Sequence, residues 1–184
     1  MKIIAVIPAR EGSKRLKHKN VYPLNGVPLI EYTINAALSS KYIDEDNLYI
    51  NTDFDKIIEI AKKRNVKFIQ RPNHLSGDKV WTQPVINHTE DELGGLNDED
   101  IIVILQANSP QMTSEKIDEC IEMLIKNKLY EVHTIDSTMI NNGAIQVMKR
   151  KVRNQKGKVC YNGVVMADWI DVHTIEDINK IGEV

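Results

Sequence analysis

The sequence predicts an α/β protein with three layers, α/β/α, around a mostly parallel, twisted sheet whose first half is Rossmann-like. Apolar runs rich in Ile and Val occur at residues 2–7, 48–50, 66–69 and 101–105, and such runs are typical of strands buried on both faces. Segments with helical periodicity separate most of these runs, which favours right-handed crossovers in a parallel sheet. With 184 residues, the chain has the size of one domain, so we expect a single unit over 1–184.

Helices are predicted where apolar residues recur on one face. The members are Ile30, Ile34, Ala37 and Leu38 in the first, Phe54, Ile57, Ile58 and Ala61 in the second, and Ile117, Ile121, Leu124 and Ile125 in the third. Thr52 or Asp53 is a suitable N-cap for the second helix, and Thr113 for the third. Thr174 and Asp177 have the spacing of a capping box, which predicts a last helix.

The pattern weakens after Tyr130. Residues 131–135, 144–148, 158–165 and 169–172 each have the composition of a short strand, and a basic stretch covers 149–158. Their order in a sheet stays open. In parallel sheets, ligands bind beyond the carboxyl ends of the strands, so the loops after Ile7, Ile50, Ile69 and Leu105 are the expected place for chemistry.

Composition narrows the function classes. There are 24 Lys and Arg residues against 26 Asp and Glu residues, so the molecule as a whole has no attraction for nucleic acid or anionic membranes. No apolar run is long enough to span a bilayer. Cys120 and Cys160 lack metal-type or redox-type spacing. We therefore expect a cytoplasmic protein with reduced thiols and no nucleic-acid or membrane partner.

The loop after the first strand, Pro8 to Asn20, is the most informative segment. It holds five Arg and Lys residues and one Glu, a local charge of +4 in a slightly acidic chain. A polyphosphate would be met by such cations together with backbone N–H groups, and Gly12 would allow close approach. The alternative is a solvated basic loop. The spacing fits neither a P-loop nor the Gly-x-Gly-x-x-Gly of dinucleotide-binding folds, which argues against kinase and dehydrogenase chemistry.

Motifs along the chain resemble those of one family. They are Ile7-Pro8-Ala9-Arg10, Gly12-Ser13-Lys14, Lys19-Asn20, Asn25-Gly26, Pro28-Leu29-Ile30, Thr52-Asp53, Arg71-Pro72, Leu75 with Asp78, Leu105-Gln106, Ser109-Pro110, Asn142-Gly143-Ala144-Ile145, and Ile170-Asp171 with Thr174 and Asp177. In this order they resemble the CMP-sialic acid synthetases and related sugar-acid cytidylyltransferases. The resemblance implies a nucleotide-diphospho-sugar transferase type of fold and the transfer of CMP from CTP to a sugar acid, with release of pyrophosphate.

The resemblance also implies roles for individual residues. Arg10, Lys14 and Lys19 would hold the triphosphate and neutralise its charge during catalysis. The full implied nucleotide-binding set is Ala9, Arg10, Gly12, Ser13, Lys14, Lys19, Asn20, Arg71, Asp78 and Gln106. For Arg71, a surface residue before a turn-forming Pro is an equal alternative, and for Asp53 we favour a helix-capping role.

Two departures from the family pattern matter. The family's metal-binding Asp-x-Asp is Asp171-Val172-His173 here; on a strand both positions would face Mg²⁺, which prefers carboxylate oxygens to imidazole. The longer arm that recognises the acyl sugar and builds a homodimer in the family is reduced to residues 133–140. The identity of the acceptor and the formation of a homodimer are therefore left open.

Two alternatives to sugar-acid cytidylyl transfer remain. One is a nucleotidyltransferase that uses another nucleoside triphosphate or acceptor. The other is a non-catalytic or degenerate nucleotide-binding regulatory domain that keeps the basic loop. Nucleic-acid binding has only the basic loop in its favour, because aromatic residues make up just 5% of the chain.

Overall fold

Nine strands and five α-helices alternate in the computed structural model, which describes residues 1–152 and 161–182. The strands are β1 (Ile3–Pro8), β2 (Pro23–Leu24), β3 (Val27–Pro28), β4 (Leu48–Thr52), β5 (Lys67–Gln70), β6 (Ile101–Leu105), β7 (Glu131–Ile135), β8 (Asn141–Lys149) and β9 (Asn162–Met166). The helices are α1 (Leu29–Leu38), α2 (Asp55–Lys63), α3 (Thr82–Leu93), α4 (Ser114–Lys126) and α5 (Ile175–Gly182).

Seven strands form one sheet in the order β5-β4-β1-β6-β8-β7-β9. The β5-β4-β1-β6 half is parallel throughout. β8 runs antiparallel to both of its neighbours, and β9 pairs in parallel with β7. β4 and β6 flank β1, so the order in which strands are added to the sheet reverses at β1. The loops after these strands lie at one edge of the sheet, and sheets of this kind bind ligands there.

Helices cover both faces of the parallel half, as the three-layer prediction requires. On one face, residues of α1, α2 and α4 pack on alternate residues of β1 and β6, including Ala5, Ile7 and Val103. On the other face, Ile86 of α3 packs against Val6. The predicted α/β fold with a mostly parallel sheet is confirmed.

The sequence patterns located most elements and failed at two places. They missed α3, whose buried face combines Val85 and Ile86 with Thr89 and Glu90, so its apolar periodicity is weak. The predicted strand at 169–172 is wrong: this stretch is irregular, and Val172 instead exchanges hydrogen bonds with Asn108. Of the predicted strand 158–165, the first three positions lie outside the described residues, as does Cys160.

The predicted caps were partly right. Thr113 caps α4, with its side chain accepting from the Lys116 N–H. Asp177 accepts from the backbone N–H groups of His173 and Thr174 at 2.9 Å, as in a capping box. The predicted cap of α2, Thr52 or Asp53, is wrong. The N-cap is Phe54, and the Asp53 carboxylate instead accepts from the Glu11 N–H. None of the helices in the described part of the chain has the length and apolar content needed to cross a bilayer.

Candidate nucleotide site

A cavity of about 470 Å³ opens at the carboxyl ends of β1, β5 and β6. Nine of the ten predicted nucleotide-binding residues line it: Arg10, Gly12, Ser13, Lys14, Lys19, Asn20, Arg71, Asp78 and Gln106. Ala9 does not, because it is fully buried and its N–H donates to the Asn51 carbonyl at 3.0 Å. Of the two predicted metal ligands, His173 lines the cavity and Asp171 does not.

Tertiary contacts hold the loop after β1 in place. The Asn20 side-chain amide donates to the Arg10 carbonyl at 3.0 Å and closes the loop. The Glu11 N–H donates to Asp53 Oδ1 at 2.8 Å, which ties the loop to the end of β4. Leu16 packs into a small apolar cluster with α5. These contacts fix the backbone of the loop, while Lys14, Arg15 and Lys17 remain exposed to solvent.

Two cations of the loop converge on one carboxylate. Arg10 Nη1 and Lys14 Nζ lie 2.7 Å from the two carboxylate oxygens of Asp78. Hydrogen bonds from Lys14 and Arg10 lower the pKa of Asp78. Arg10 and Lys14 thus already hold an anion in the cavity, in the way that they would hold phosphate oxygens.

Arg71 is a buried cation, so the alternative of a surface residue before Pro72 is wrong. Its side chain donates to Asn51 through Nε to Oδ1 at 2.9 Å and through Nη2 to the carbonyl at 2.7 Å. Asn51 is held in turn by its amide, 2.9 Å from the Thr89 hydroxyl on α3. Burial lowers the pKa of Arg71 to about 10, partly opposed by the Asp53 carboxylate. Arg71 therefore stays charged at neutral pH at the cavity wall.

A second group of charges surrounds Lys19. Burial lowers the pKa of Lys19 to about 8, with Asp171 acting in the opposite direction and Arg15 and Arg10 adding to the decrease. Asp171 accepts a hydrogen bond of 2.5 Å from the Ser109 hydroxyl, and burial raises its pKa. His173 Nδ1 lies 3.2 Å from Arg15 Nη2. Burial has the largest effect on the pKa of His173 and lowers it, and the nearby cations Lys19 and Arg15 lower it further.

The family model described as "Cytidylyltransferase" matches residues 4–161. The chain belongs to the cytidylyltransferase family. It is 34% identical over 139 residues to N-acylneuraminate cytidylyltransferase of Streptococcus agalactiae serotype V, covering 76% of this chain and 32% of the relative. It is 34% identical over 131 residues to pseudaminic acid cytidylyltransferase of Campylobacter jejuni serotype O:2, covering 70% of this chain and 55% of that protein. The chain thus spans only about a third to a half of these curated relatives.

Solved structures support the same fold. CMP:2-keto-3-deoxy-manno-octonic acid synthetase complexed with CTP superposes with a TM-score of 0.78 and 16% identity, covering 100% of this chain and 98% of that chain. Rv0371C from Mycobacterium tuberculosis H37Rv, in complex with manganese, superposes with a TM-score of 0.69 and 12% identity, covering 100% of this chain and 99% of that chain. At these identities the likeness establishes the fold.

The two predicted metal ligands differ in their fit to a hard divalent ion. Asp171 offers a carboxylate oxygen of the kind that Mg²⁺ prefers, whereas His173 offers an imidazole next to the Arg15 guanidinium. Within residues 1–152 and 161–182, no cluster of three or more His, Cys, Asp or Glu residues could hold a metal ion. The expectation that residues 171 and 173 lie on one strand face is wrong, because this stretch is not a strand.

The sequence motifs missed several residues of the cavity. Val80, Trp81, Thr82 and Val85 line the cavity from the start of α3, the helix that the apolar pattern did not reveal. Asn51 was missed because its role is to bind Arg71, and no periodicity marks such a contact. Gly12 was assigned to close backbone approach; an added Cβ would meet only Arg10 Nη1 at 3.9 Å, so the protein itself does not require glycine there.

Proposed function

We propose that the chain binds CTP through Arg10, Lys14 and Lys19 and transfers CMP to a sugar acid with release of pyrophosphate. In this proposal, residues 1–184 act as one nucleotidyltransferase domain. Family membership and the names of the relatives support the reaction class, since those relatives are cytidylyltransferases for N-acylneuraminate and pseudaminic acid. A cytoplasmic location and a homodimer remain predictions.

The pairing of Arg10 and Lys14 with Asp78 carries the proposal. Both cations lie 2.7 Å from its oxygens, so the loop holds their charged ends at one point of the cavity. Lys19 lines the same cavity. When an acceptor oxygen attacks the α-phosphorus, negative charge builds up on the departing pyrophosphate, and prepositioned cations stabilise that charge.

Gln106 and Arg71 complete the wall. The Gln106 main chain is fixed on both sides, with its N–H donating to the Ala144 carbonyl and its carbonyl accepting from the Thr33 hydroxyl, each at 3.0 Å. This anchoring presents the Gln106 side chain at the carboxyl end of β6. We assign Gln106 and Arg71 to orienting the nucleotide relative to the acceptor, because both line the cavity on rigid elements.

Mg²⁺ fits this proposal through one protein carboxylate. Asp171 is not itself on the cavity wall but lies near Lys19, which is, and from there it would hold the ion together with phosphate oxygens and water, the usual arrangement at nucleotide sites. When bound, the ion would neutralise phosphate charge. The chain's own contribution is to keep Asp171 in position by the Ser109 hydrogen bond.

Pyrophosphate release tests the function. The protein would be incubated with each of the four ribonucleoside triphosphates, with Mg²⁺ or Mn²⁺, and with N-acylneuraminate, pseudaminic acid or 2-keto-3-deoxy-manno-octonic acid. We expect release with CTP and at least one sugar acid, and none without an acceptor. Equal release with all four triphosphates would contradict CTP specificity and favour another nucleotidyltransferase.

One observation favours a second function, nucleotide binding without turnover. Asp171 is hydrogen-bonded to Ser109 and His173 contacts Arg15, so the second carboxylate of the family's metal pair is replaced by a group that faces a cation. Calorimetry separates the two functions: heat of CTP association without pyrophosphate release under every metal and acceptor would support the non-catalytic domain.

A further inference from the structure

Trp81 is an exposed aromatic side chain on the cavity wall. It is 82% exposed and stands directly before the first residue of α3. The other tryptophan of the chain, Trp169, is partly buried and packs against the main core. An indole is among the largest apolar side chains, and Trp81 offers it to whatever binds in the cavity that it lines.

The cavity wall is divided by chemistry. Arg10, Lys14 and Lys19 supply its cations, whereas Val80, Trp81 and Val85 supply apolar surface from the start of α3. A nucleoside triphosphate has the same division, with a charged tail at one end and a flat, weakly polar base at the other. Aromatic side chains bind bases by stacking, because every base presents a π-face.

The segment that carries Trp81 is fastened to the phosphate-binding loop. Arg10 Nη1 donates to the Ser76 carbonyl at 3.2 Å as well as pairing with Asp78. Within the segment, the Val80 N–H donates to the Gly77 carbonyl at 3.0 Å. The cations and the indole are therefore positioned together, which allows one ligand to contact both.

We propose that Trp81 stacks on the base of the bound nucleoside triphosphate and so contributes directly to nucleotide affinity. This proposal rests on the proposed function, because it requires the triphosphate to bind at the cationic loop. It adds a residue that the sequence motifs do not contain: the indole provides a base-binding surface, and the phosphate cations alone would not distinguish CTP from a bare polyphosphate.

Two ligands and four proteins test the proposal. CTP and inorganic tripolyphosphate would be titrated by calorimetry into the wild type, Trp81→Ala, Trp81→Phe and Trp169→Phe, and tryptophan fluorescence would be recorded in parallel. We expect Trp81→Ala to weaken CTP binding about 5- to 160-fold, which corresponds to the usual contribution of base–aromatic stacking, and to leave tripolyphosphate binding unchanged. Trp81→Phe should retain CTP affinity within about threefold, because phenylalanine keeps a π-face.

Fluorescence provides a second, independent measurement. CTP should change the tryptophan emission of the wild type and of Trp169→Phe, in which Trp81 is the remaining tryptophan. The emission of Trp81→Phe should not change when CTP is added. Equal CTP affinity in the wild type and Trp81→Ala would overturn the stacking proposal while leaving the proposed function intact. If neither CTP nor tripolyphosphate binds the wild type, the proposed function fails and the stacking proposal fails with it.

Discussion

The two halves of the sheet differ in what surrounds them. In the β5-β4-β1-β6 half, helices pack on both faces, and the loops at the carboxyl ends converge on one charged cavity. In the β8-β7-β9 half, Val164 and Met166 of β9 are 43% and 52% exposed, and the turn between β7 and β8 carries the exposed Met139 and Ile140. The first half has the features of a binding site, whereas the second exposes apolar residues on β9 and in the β7–β8 turn.

Under the proposed function, this difference separates the region that would bind the nucleotide from the region where the family resemblance places the acceptor arm. The groups that we assign to the nucleotide follow β1, β5 and β6. β1 and β6 are buried along most of their length, whereas β5 is the edge strand and buries only Ile69 of its four residues. The β7–β8 turn, where the family resemblance places an acceptor arm, has room only for residues 136–140, and Asp136 Oδ1 accepts from Thr138 and Ile140 to close it. Perturbing the first half should therefore change nucleotide binding, and perturbing the second should not.

The largest expected effect is that of Lys14→Ala. Lys14 is exposed and contacts Asp78, so its loss should leave folding intact and remove a charged contact to phosphate. Hydrogen bonds to charged groups contribute about 1.5–3 kcal/mol, which corresponds to a loss of triphosphate affinity of roughly 10- to 100-fold. Lys17→Ala is the matched control, because Lys17 carries the same charge in the same loop and is absent from the cavity wall. If calorimetry showed the same loss of triphosphate affinity in the two variants, the contribution of Lys14 would be a general effect of charge and not a contact at a specific site.

Asn51→Ala should cost stability and binding together. The variant leaves Arg71 Nε without its partner in a buried position and removes the link to Thr89. An unsatisfied buried donor costs about 1–3 kcal/mol, and for a chain of this size each kcal/mol lowers the Tm by about 2–4 °C.

Thr89→Val is the control for the Asn51 prediction. It removes the hydrogen bonds of the Thr89 hydroxyl to Asn51 and to the Val85 carbonyl but leaves the contact between Asn51 and Arg71 in place. Thermal unfolding should therefore show a smaller decrease, with nucleotide affinity retained. An Asn51→Ala protein with wild-type Tm and wild-type CTP affinity would show that Asn51 does not position Arg71.

Lys14 and Asn51 also show which residues of the candidate site can be predicted from the sequence and which cannot. Lys14 was identifiable because it stands in a charged motif directly after a buried strand. The role of Asn51 was not, since its contact with Arg71 joins residues 20 positions apart through side chains. Strands β1, β4 and β6 were predicted because burial on both faces demands continuous apolar runs. The run at 66–69 also forms a strand, but its expected burial on both faces is wrong, because β5 lies at the sheet edge and buries only Ile69. Helix α3 was not, because polar Thr89 and Glu90 belong to its buried face.

Nucleotide affinity should fall as the pH rises through about 8. Burial lowers the pKa of Lys19 to about 8, so the amine is charged below that pH and neutral above it, and a neutral amine attracts phosphate less. The terminal phosphate is already ionised in this range, with a pKa of about 6. If binding requires charged Lys19, affinity should drop about tenfold between pH 7 and pH 9. Lys19→Arg should flatten this profile, and an unchanged profile in that variant would assign the pH dependence to another group.

Asp78→Asn should strengthen tripolyphosphate binding. Asp78 occupies Arg10 and Lys14, so an incoming phosphate has to displace its carboxylate. Because Asp78 and Arg10 are partly exposed and Lys14 is largely exposed, solvent weakens this competition, and the gain in affinity should be no more than about fivefold. Asp55→Asn makes the same charge change at an exposed residue outside the cavity and should have no effect. Weaker binding in Asp78→Asn would instead show that Asp78 supports the nucleotide site directly.

The smallest expected effect belongs to the second half. Met139 has a φ of 65°, in the left-handed region that costs most residues about 1–2 kcal/mol. Met139→Gly removes this strain and adds freedom to the unfolded chain worth about 0.4–1 kcal/mol, so the Tm should rise by a few degrees at most. Ile140→Gly, one residue further along and outside the left-handed region, should lower the Tm instead. CTP affinity should be unchanged in both variants, and a change in either would mean that the β7–β8 turn takes part in nucleotide binding after all.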